Sequence, residues 1–291
     1  MKINLYYWNN GVGVVNDTII ISSLLNKFDI MCYDISKDNV YRNSDLGIHI
    51  QNIEISQLEN NKKNIFIVNE EWLTDYEISH INKLDYIFTK SSYAKTLLDP
   101  YHKNVINTGF FSLDRHYFPN HTNKILHFKG KSIQKNTDLV KNLSIVKILD
   151  SSIDYLSDND VVYNLNNYDI HICCSLYEAW GHYLWEALSC GKLVICSEIP
   201  IFKEYLDSNL VKFVPTKTIC SYDVNCEFLN TTLYKFRNGY FVDKNNLYNL
   251  LGDRKELFEF QKNNCESIRH HFLNVNKRNK EKFLNNIEHL L

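Results

Sequence analysis

The sequence predicts an α/β protein made of two Rossmann-like, doubly wound domains that face each other across a cleft. Three observations lead there. Short apolar runs alternate with helical patterns along both halves of the chain. The alternation starts afresh after a polar patch, residues 119–123. Residues 168–205 read as strand, loop, helix, glycine stop and strand, which is the order of a βαβ unit in a parallel sheet.

Composition narrows the class. A chain of 291 residues can hold one large domain or two modest ones. A net charge of -2 argues against a dedicated nucleic-acid binder. No segment approaches the length of a membrane span, and the opening MKINLYYWNNGVG lacks the apolar run of a signal peptide. The 8 cysteines are scattered without a CxxC pair, and several sit inside apolar runs as buried free thiols do. These features fit a reducing, cytoplasmic compartment. Peripheral membrane contact is permitted by the near-neutral charge, but no sequence feature supports it.

The elements of the first half follow in order. Residues 2–8 form a strand and 14–28 a helix, joined by a turn that contains Gly11 and Gly13. That turn is either a tight connection or a backbone open to a phosphate or sugar, since Asn16 stands where a third fingerprint glycine would be. Strands follow at 29–34, 46–53 and 64–68. The last ends in Asn69-Glu70-Glu71-Trp72, where Glu70 and Glu71 are either first-turn helix residues or an acceptor-side wall. A strand at 84–89 leads to a helix that Ser91-Ser92 caps and Pro100 ends. A strand at 104–107 runs into Thr108-Gly109-Phe110-Phe111-Ser112, with Phe110 and Ser112 at the expected hinge. The polar patch at 119–123 sets the expected boundary between domains 1–120 and 121–276.

In the second half a strand at 125–128 precedes Gly130, Lys131 and Lys135, and a helix is expected from about Thr137. Further strands are expected at 144–149, 170–174, 193–196 and 211–214, with a short helix at 158–163. Residues 216–231 form a polar excursion without clear periodicity. The chain ends in helices at 246–251, 254–272 and 277–291, the last expected to pack back on the first domain through apolar positions at helical spacing.

Three stretches now resemble a known family. SLYEAWGHYLWEALSCG holds Glu178 and Glu186 in a Glu-x7-Glu arrangement, FKGKSIQKN opens the second half, and NTGFFSLDRHYF closes the first. Together they are similar to the retaining group 1 nucleotide-sugar glycosyltransferases of the two-domain GT-B fold. The sharp motifs lie in the second half, and only the order of elements agrees elsewhere.

The resemblance implies a role for each residue. Lys131 and Lys135 would face the nucleotide diphosphate that leaves during sugar transfer, where positive charge is needed. The family usually has an arginine at the first of these positions. Lys131 carries the charge without the bidentate fork. Gly130 lies in the same turn. Gly181, His182 and Tyr183 would open a helix whose N-terminus attracts an anion. Glu178 would hold sugar hydroxyls and Glu186 the nucleotide ribose, because carboxylates accept and hydroxyls donate. Gly11 and Gly13 would approach the donor from the first domain. Each residue also has a plainer reading: solvated lysines, a structural histidine, and an exposed helical glutamate at 186.

The reaction implied is front-face transfer with retention, in which leaving-group phosphate helps to deprotonate a hydroxyl acceptor such as a glycan or lipid-linked sugar. No metal or other cofactor is expected beyond the nucleotide-sugar co-substrate, because Asp158-Asn159-Asp160 suits a helix start better than a metal motif. Two other classes compete. One is a catalytically silent nucleotide-sugar-binding or scaffold protein, and the other is a sugar-nucleotide epimerase of similar architecture.

Overall fold

The computed structural model of the protein describes residues 1–9, 13–38, 41–130, 132–150, 156–219, 236 and 239–290. The chain forms two compact units. One comprises residues 1–111, 231–237 and 277–291, and the other comprises 112–230 and 238–276.

The first unit is a parallel six-stranded sheet. Its strands are β1 (Lys2–Tyr7), β2 (Asp29–Asp34), β3 (Ser44–Ile50), β4 (Asn61–Ile67), β5 (Tyr86–Thr89) and β6 (Val105–Asn107), in the order β2-β1-β3-β4-β5-β6. Helices α1 (Gly13–Leu24), α2 (Asp75–His80) and α3 (Ser92–Leu98) connect them. Alternation of strand and helix forces parallel pairing, since each crossover returns the chain to the same edge. The starts of α2 and α3 are encoded locally. Thr74 and Glu77 make a capping box for α2, and the Ser91 side chain accepts from Ala94 N at the start of α3. Ile53, Phe66, Val68, Leu73, Ile81, Leu84, Ile87, Leu98 and Val105 form one buried cluster in this unit.

The second unit repeats the design with five strands in the order β11-β10-β9-β7-β8. These are β7 (Ile125–Lys129), β8 (Val146–Asp150), β9 (Ile170–Cys173), β10 (Leu193–Ser197) and β11 (Lys212–Val214). Helices α4 (Asp158–Asn166), α5 (His182–Ser189) and α6 (Pro200–Tyr205) lie between them in sequence. All five residues of β10 are buried, as expected of a strand covered on both faces. A small antiparallel pair, β12 (Thr216–Ile219) with β13 (Gly239–Val242), precedes α7 (Lys244–Gly252) and α8 (Arg254–Leu290).

Several expectations are corrected. The helix expected from Thr137 is absent, and residues 133–135 and 137–139 instead make two short 3-10 turns. Asn136 between them adopts a left-handed conformation with φ 56°, which interrupts any continuous helix. The two terminal helices are one helix of 37 residues. No glycine or proline lies within it, so nothing in the backbone chemistry ends it near residue 276. Asn276, at the expected break, turns its side chain to Ser112, accepting from Ser112 N at 2.9 Å and donating to Ser112 O at 3.0 Å.

The domain division also falls earlier than 120. Residues 112–120 belong to the second unit because their polar groups are bound there: Arg115 N donates to Ser189 Oγ and Phe118 N to Asn166 Oδ1. Residues 277–291 belong to the first unit, where Phe283 meets the rings of Phe88 and Phe111 at 5.7 and 5.6 Å. Part of the polar excursion is ordered as β12, and its remainder lies outside the described residues.

Candidate active site

In a doubly wound sheet, the strands at which the order reverses send their following loops apart, and a crevice opens at their carboxyl ends. The second unit has that reversal between β7 and β9. Lys135 lies in the loop after β7 and Glu178 in the loop after β9, so topology brings together residues that are 43 apart in sequence. Two contacts join these loops. Leu176 N donates to Gln134 O at 2.9 Å, and Gln134 Nε2 donates to Tyr177 O.

The result is a compact polar cluster. Lys135 Nζ is 2.5 Å from Glu178 Oε1 and 3.8 Å from the centre of the Tyr183 ring. Ser175 Oγ donates to Glu178 Oε1 at 2.8 Å, so at 2.6 Å it accepts from the Tyr183 hydroxyl. Burial raises the Tyr183 phenol well above its usual pKa, which keeps that hydroxyl protonated as a donor. The chain of donation runs Tyr183, Ser175, Glu178, and the Lys135 cation bears on both ends.

Gly181 begins α5 with φ 80°, a left-handed conformation that favours glycine. A Cβ there would lie 3.1 Å from the Phe202 ring. Having no side chain, Gly181 does not cap the helix, and the first turn is left suited to an external anion. His182 Nδ1 lies 2.8 Å from Ser112 Oγ, which also accepts from Trp180 Nε1 at 2.9 Å. Trp180 stacks on Trp185 with centroids 4.8 Å apart, which fixes the loop against the helix.

Glu186 lies one helical turn beyond His182 on the same face. It is not the exposed glutamate of the plainer reading, since only 9% of its side chain is accessible. Arg115 donates to its Oε1 from Nε at 3.0 Å, with Nη2 at 2.9 Å, while Arg115 Nη1 reaches Asp158 Oδ1 at 3.0 Å. Burial raises the Glu186 pKa, and the Arg115 charge works against that shift.

Under the same loop, His127 on β7 donates from Nδ1 to Ile172 O at 2.9 Å and accepts from Thr137 Oγ1 at 2.9 Å. Gly130 has only ordinary contacts where a Cβ would stand, 3.6 Å from Lys135 Cγ, so sterics alone do not require glycine. Lys131 lies outside the described residues.

In the first unit Gly13 opens α1 with space around it, and Gly11 lies outside the described residues. Glu70 and Glu71 occupy a short 3-10 turn after β4 and are both buried, unlike the solvated first turn of a surface helix. Phe110 stacks on Phe111 at 5.1 Å, and Lys90 Nζ sits 4.0 Å from its centroid. Lys90 and Asp17 form a buried ion pair at 2.7 Å.

The structure therefore gathers Lys135, Glu178 and Tyr183 in one cluster, joins Ser112 to His182, and sets Glu186 on Arg115. The sequence reading gives no site role to Ser175, Trp180 or Arg115, and it weighs Asp158 only within a rejected metal motif. Arg115 stood inside the quoted NTGFFSLDRHYF, but a pairing across 71 residues leaves no local pattern. Among the described residues, no three His, Cys, Asp or Glu side chains are placed to hold a metal ion. Nor is any described helix long and apolar enough to cross a membrane.

The fold is that of the GT-B glycosyltransferases. Residues 126–219, which contain the cluster just described, match the family of glycosyl transferases group 1. No curated protein matches at a significant level. Similar solved structures include a glycosyltransferase from Rickettsia africae, 13% identical with a TM-score of 0.63 over 99% of this chain and 98% of that one. Sucrose-phosphate synthase from Thermosynechococcus elongatus is 10% identical, with a TM-score of 0.63 over 99% of both chains. Anabaena HepE in complex with UDP-glucose is 12% identical, with a TM-score of 0.62 over 98% of this chain and 100% of that one.

Proposed function

We propose that the protein transfers a sugar, with retention, from a nucleotide-diphosphate sugar to a hydroxyl acceptor such as a glycan or lipid-linked sugar. The observation that carries this reading is the Lys135–Glu178 pair beside the uncapped start of α5. A cation and a helix N-terminus suit a diphosphate, and a carboxylate suits sugar hydroxyls. HepE, whose structure contains UDP-glucose, lends support to a nucleotide-sugar donor.

Donor binding exchanges the Lys135–Glu178 ion pair for new partners: phosphate on Lys135, sugar hydroxyls on Glu178. Lys135, together with Lys131, offsets the charge that develops on the leaving diphosphate. Glu178 positions the anomeric carbon so that the acceptor approaches on the face from which the diphosphate departs, and leaving-group phosphate receives the acceptor proton. No metal enters this scheme. Gly11, Gly13, Glu70, Glu71 and Phe110 supply the donor-facing and acceptor-facing surfaces of the first unit.

A silent binding protein is the second reading, and one contact favours it: Lys135 and Glu178 already satisfy each other. Turnover separates the two. Purified protein is incubated with UDP-, GDP- and ADP-sugars and a mixed pool of hydroxyl acceptors, and products are followed by mass spectrometry and by the anomeric configuration of the linkage. Transfer with retention is expected, and Glu178→Ala should reduce it at least about a hundredfold while the protein stays folded. A folded protein that binds nucleoside diphosphate but neither transfers nor hydrolyses any donor is a binding protein. A changed free nucleotide sugar without acceptor product marks an epimerase.

A further inference from the structure

Arg115 is buried and spends its guanidinium on two carboxylates of unlike setting. Glu186 is as buried as Arg115 itself, each side chain being 9% accessible, whereas the Asp158 side chain is 84% accessible. Both contacts to Glu186 converge on Oε1. Neither of these two contacts is made to Oε2. A planar guanidinium with fixed N–H directions holds a carboxylate in one orientation, which an ammonium on a flexible stem does not. The arginine is itself anchored, because its backbone N–H donates to Ser189 Oγ at 3.0 Å, on the same helix as Glu186. Main chain and side chain of Arg115 thus clamp α5 at two points three residues apart.

We propose that Arg115 is a positioning residue for nucleotide recognition: it grips Glu186 through Oε1 and so holds Oε2 ready to accept from ribose hydroxyls. This rests on the donor reading of the site given above.

The clamp also governs the charge on Glu186. A carboxylate in so buried a place is stable as an anion only beside a compensating cation. The charged or titratable groups that act on it are Arg115, His182 on the preceding turn of α5, and Asp158 at the start of α4. Arg115 and His182 favour the anion, and Asp158 opposes it. Removing the arginine leaves Glu186 protonated at a higher pH, and a protonated carboxyl accepts less well.

The test compares binding of uridine, guanosine and adenosine diphosphates with their 2′,3′-dideoxy forms by calorimetry from pH 6 to 9, for wild type, Arg115→Met and Arg115→Lys. Wild type should prefer the best ribonucleotide over its dideoxy form about tenfold, the scale of a hydrogen bond to a charged group. In Arg115→Met that preference should shrink to within about twofold at neutral pH and recover as pH rises. Arg115→Lys should restore its pH dependence toward wild type, and it supplies the comparison if Arg115→Met does not fold. A substitution that merely loosens the protein would weaken both ligands equally and leave their ratio intact, and that result overturns the proposal. A wild type that binds ribo and dideoxy forms equally overturns it too. If wild type binds none of the diphosphates, the donor reading itself fails, and the role of Arg115 fails with it.

Discussion

The Ser112 hydroxyl lies 2.8 Å from Nδ1 of His182 and accepts the indole N–H of Trp180 at 2.9 Å. A hydroxyl has one proton to give. With Trp180 already donating to the oxygen, the arrangement that uses the hydroxyl proton gives it to Nδ1, and the imidazole hydrogen is then expected on Nε2. A proton on Nδ1 would set two donors on Ser112 and leave its own hydrogen without an acceptor there. His182, first residue of α5, is thereby set as an Nε2–H donor beside the helix N-terminus.

Nitrogen-15 NMR of the histidines should show His182 as the Nε2–H tautomer. In Ser112→Ala the tautomers should mix, because the hydroxyl that favours an unprotonated Nδ1 is gone. The donor KM should rise about fivefold to tenfold, the effect of one misplaced hydrogen bond. An Nδ1–H tautomer in wild type would refute the assignment.

Lys135 and Glu178 are held 2.5 Å apart across the two switch-point loops. Lys135→Ala should weaken binding of a nucleoside diphosphate about tenfold or more and leave binding of the nucleoside nearly unchanged, as read by calorimetry. Equal losses for both ligands would place Lys135 away from the phosphates.

Three buried histidines make stability depend on pH, and burial holds the pKa of His49 down to about 4. Burial holds the pKa of His127 down to about 4 and that of His171 down to about 3. Lys135 adds to the effect on His127 and Lys192 to that on His171. Their unfolded values lie near 6.5, so below that pH the unfolded chain binds protons that the folded protein does not. The stability they contribute is complete above about pH 6.5 and is lost as pH falls toward the folded values. Each histidine contributes a slope of about 1.4 kcal/mol per pH unit in that window. Urea midpoints measured from pH 7 to pH 5 should fall accordingly. His127→Asn, which keeps a donor for Ile172 O, should flatten the fall by about one proton, and an unchanged slope would mean His127 is protonated in the folded protein.

Gly181, Tyr183 and Glu178 were visible because a glycine, a helix start and a paired-carboxylate spacing are all local marks. Residues 133–139 misled, since a helix was expected from about Thr137 and residues 137–139 make only a short 3-10 turn. Residues 273–276 misled in the other direction, because a break was expected there and one helix runs through it with Asn276 bound to Ser112. Ser175 and Arg115 were overlooked, since their partners are chosen by packing.

By itself the sequence determined the two rounds of strand and helix, and with them two parallel sheets, because periodicity and turn residues act within a few neighbours. It also determined the kinds of group available: lysines, glutamates and a helix start opened by glycine. Only the tertiary structure decided which of them meet. The reversal between β7 and β9 puts Lys135 on Glu178, and the docking of residues 112–118 puts Arg115 on Glu186 and Ser112 on His182. Hydrogen bonds and ion pairs act over about 3 Å, whereas these partners lie 43 to 71 residues apart along the chain. Chain folding alone closes that distance.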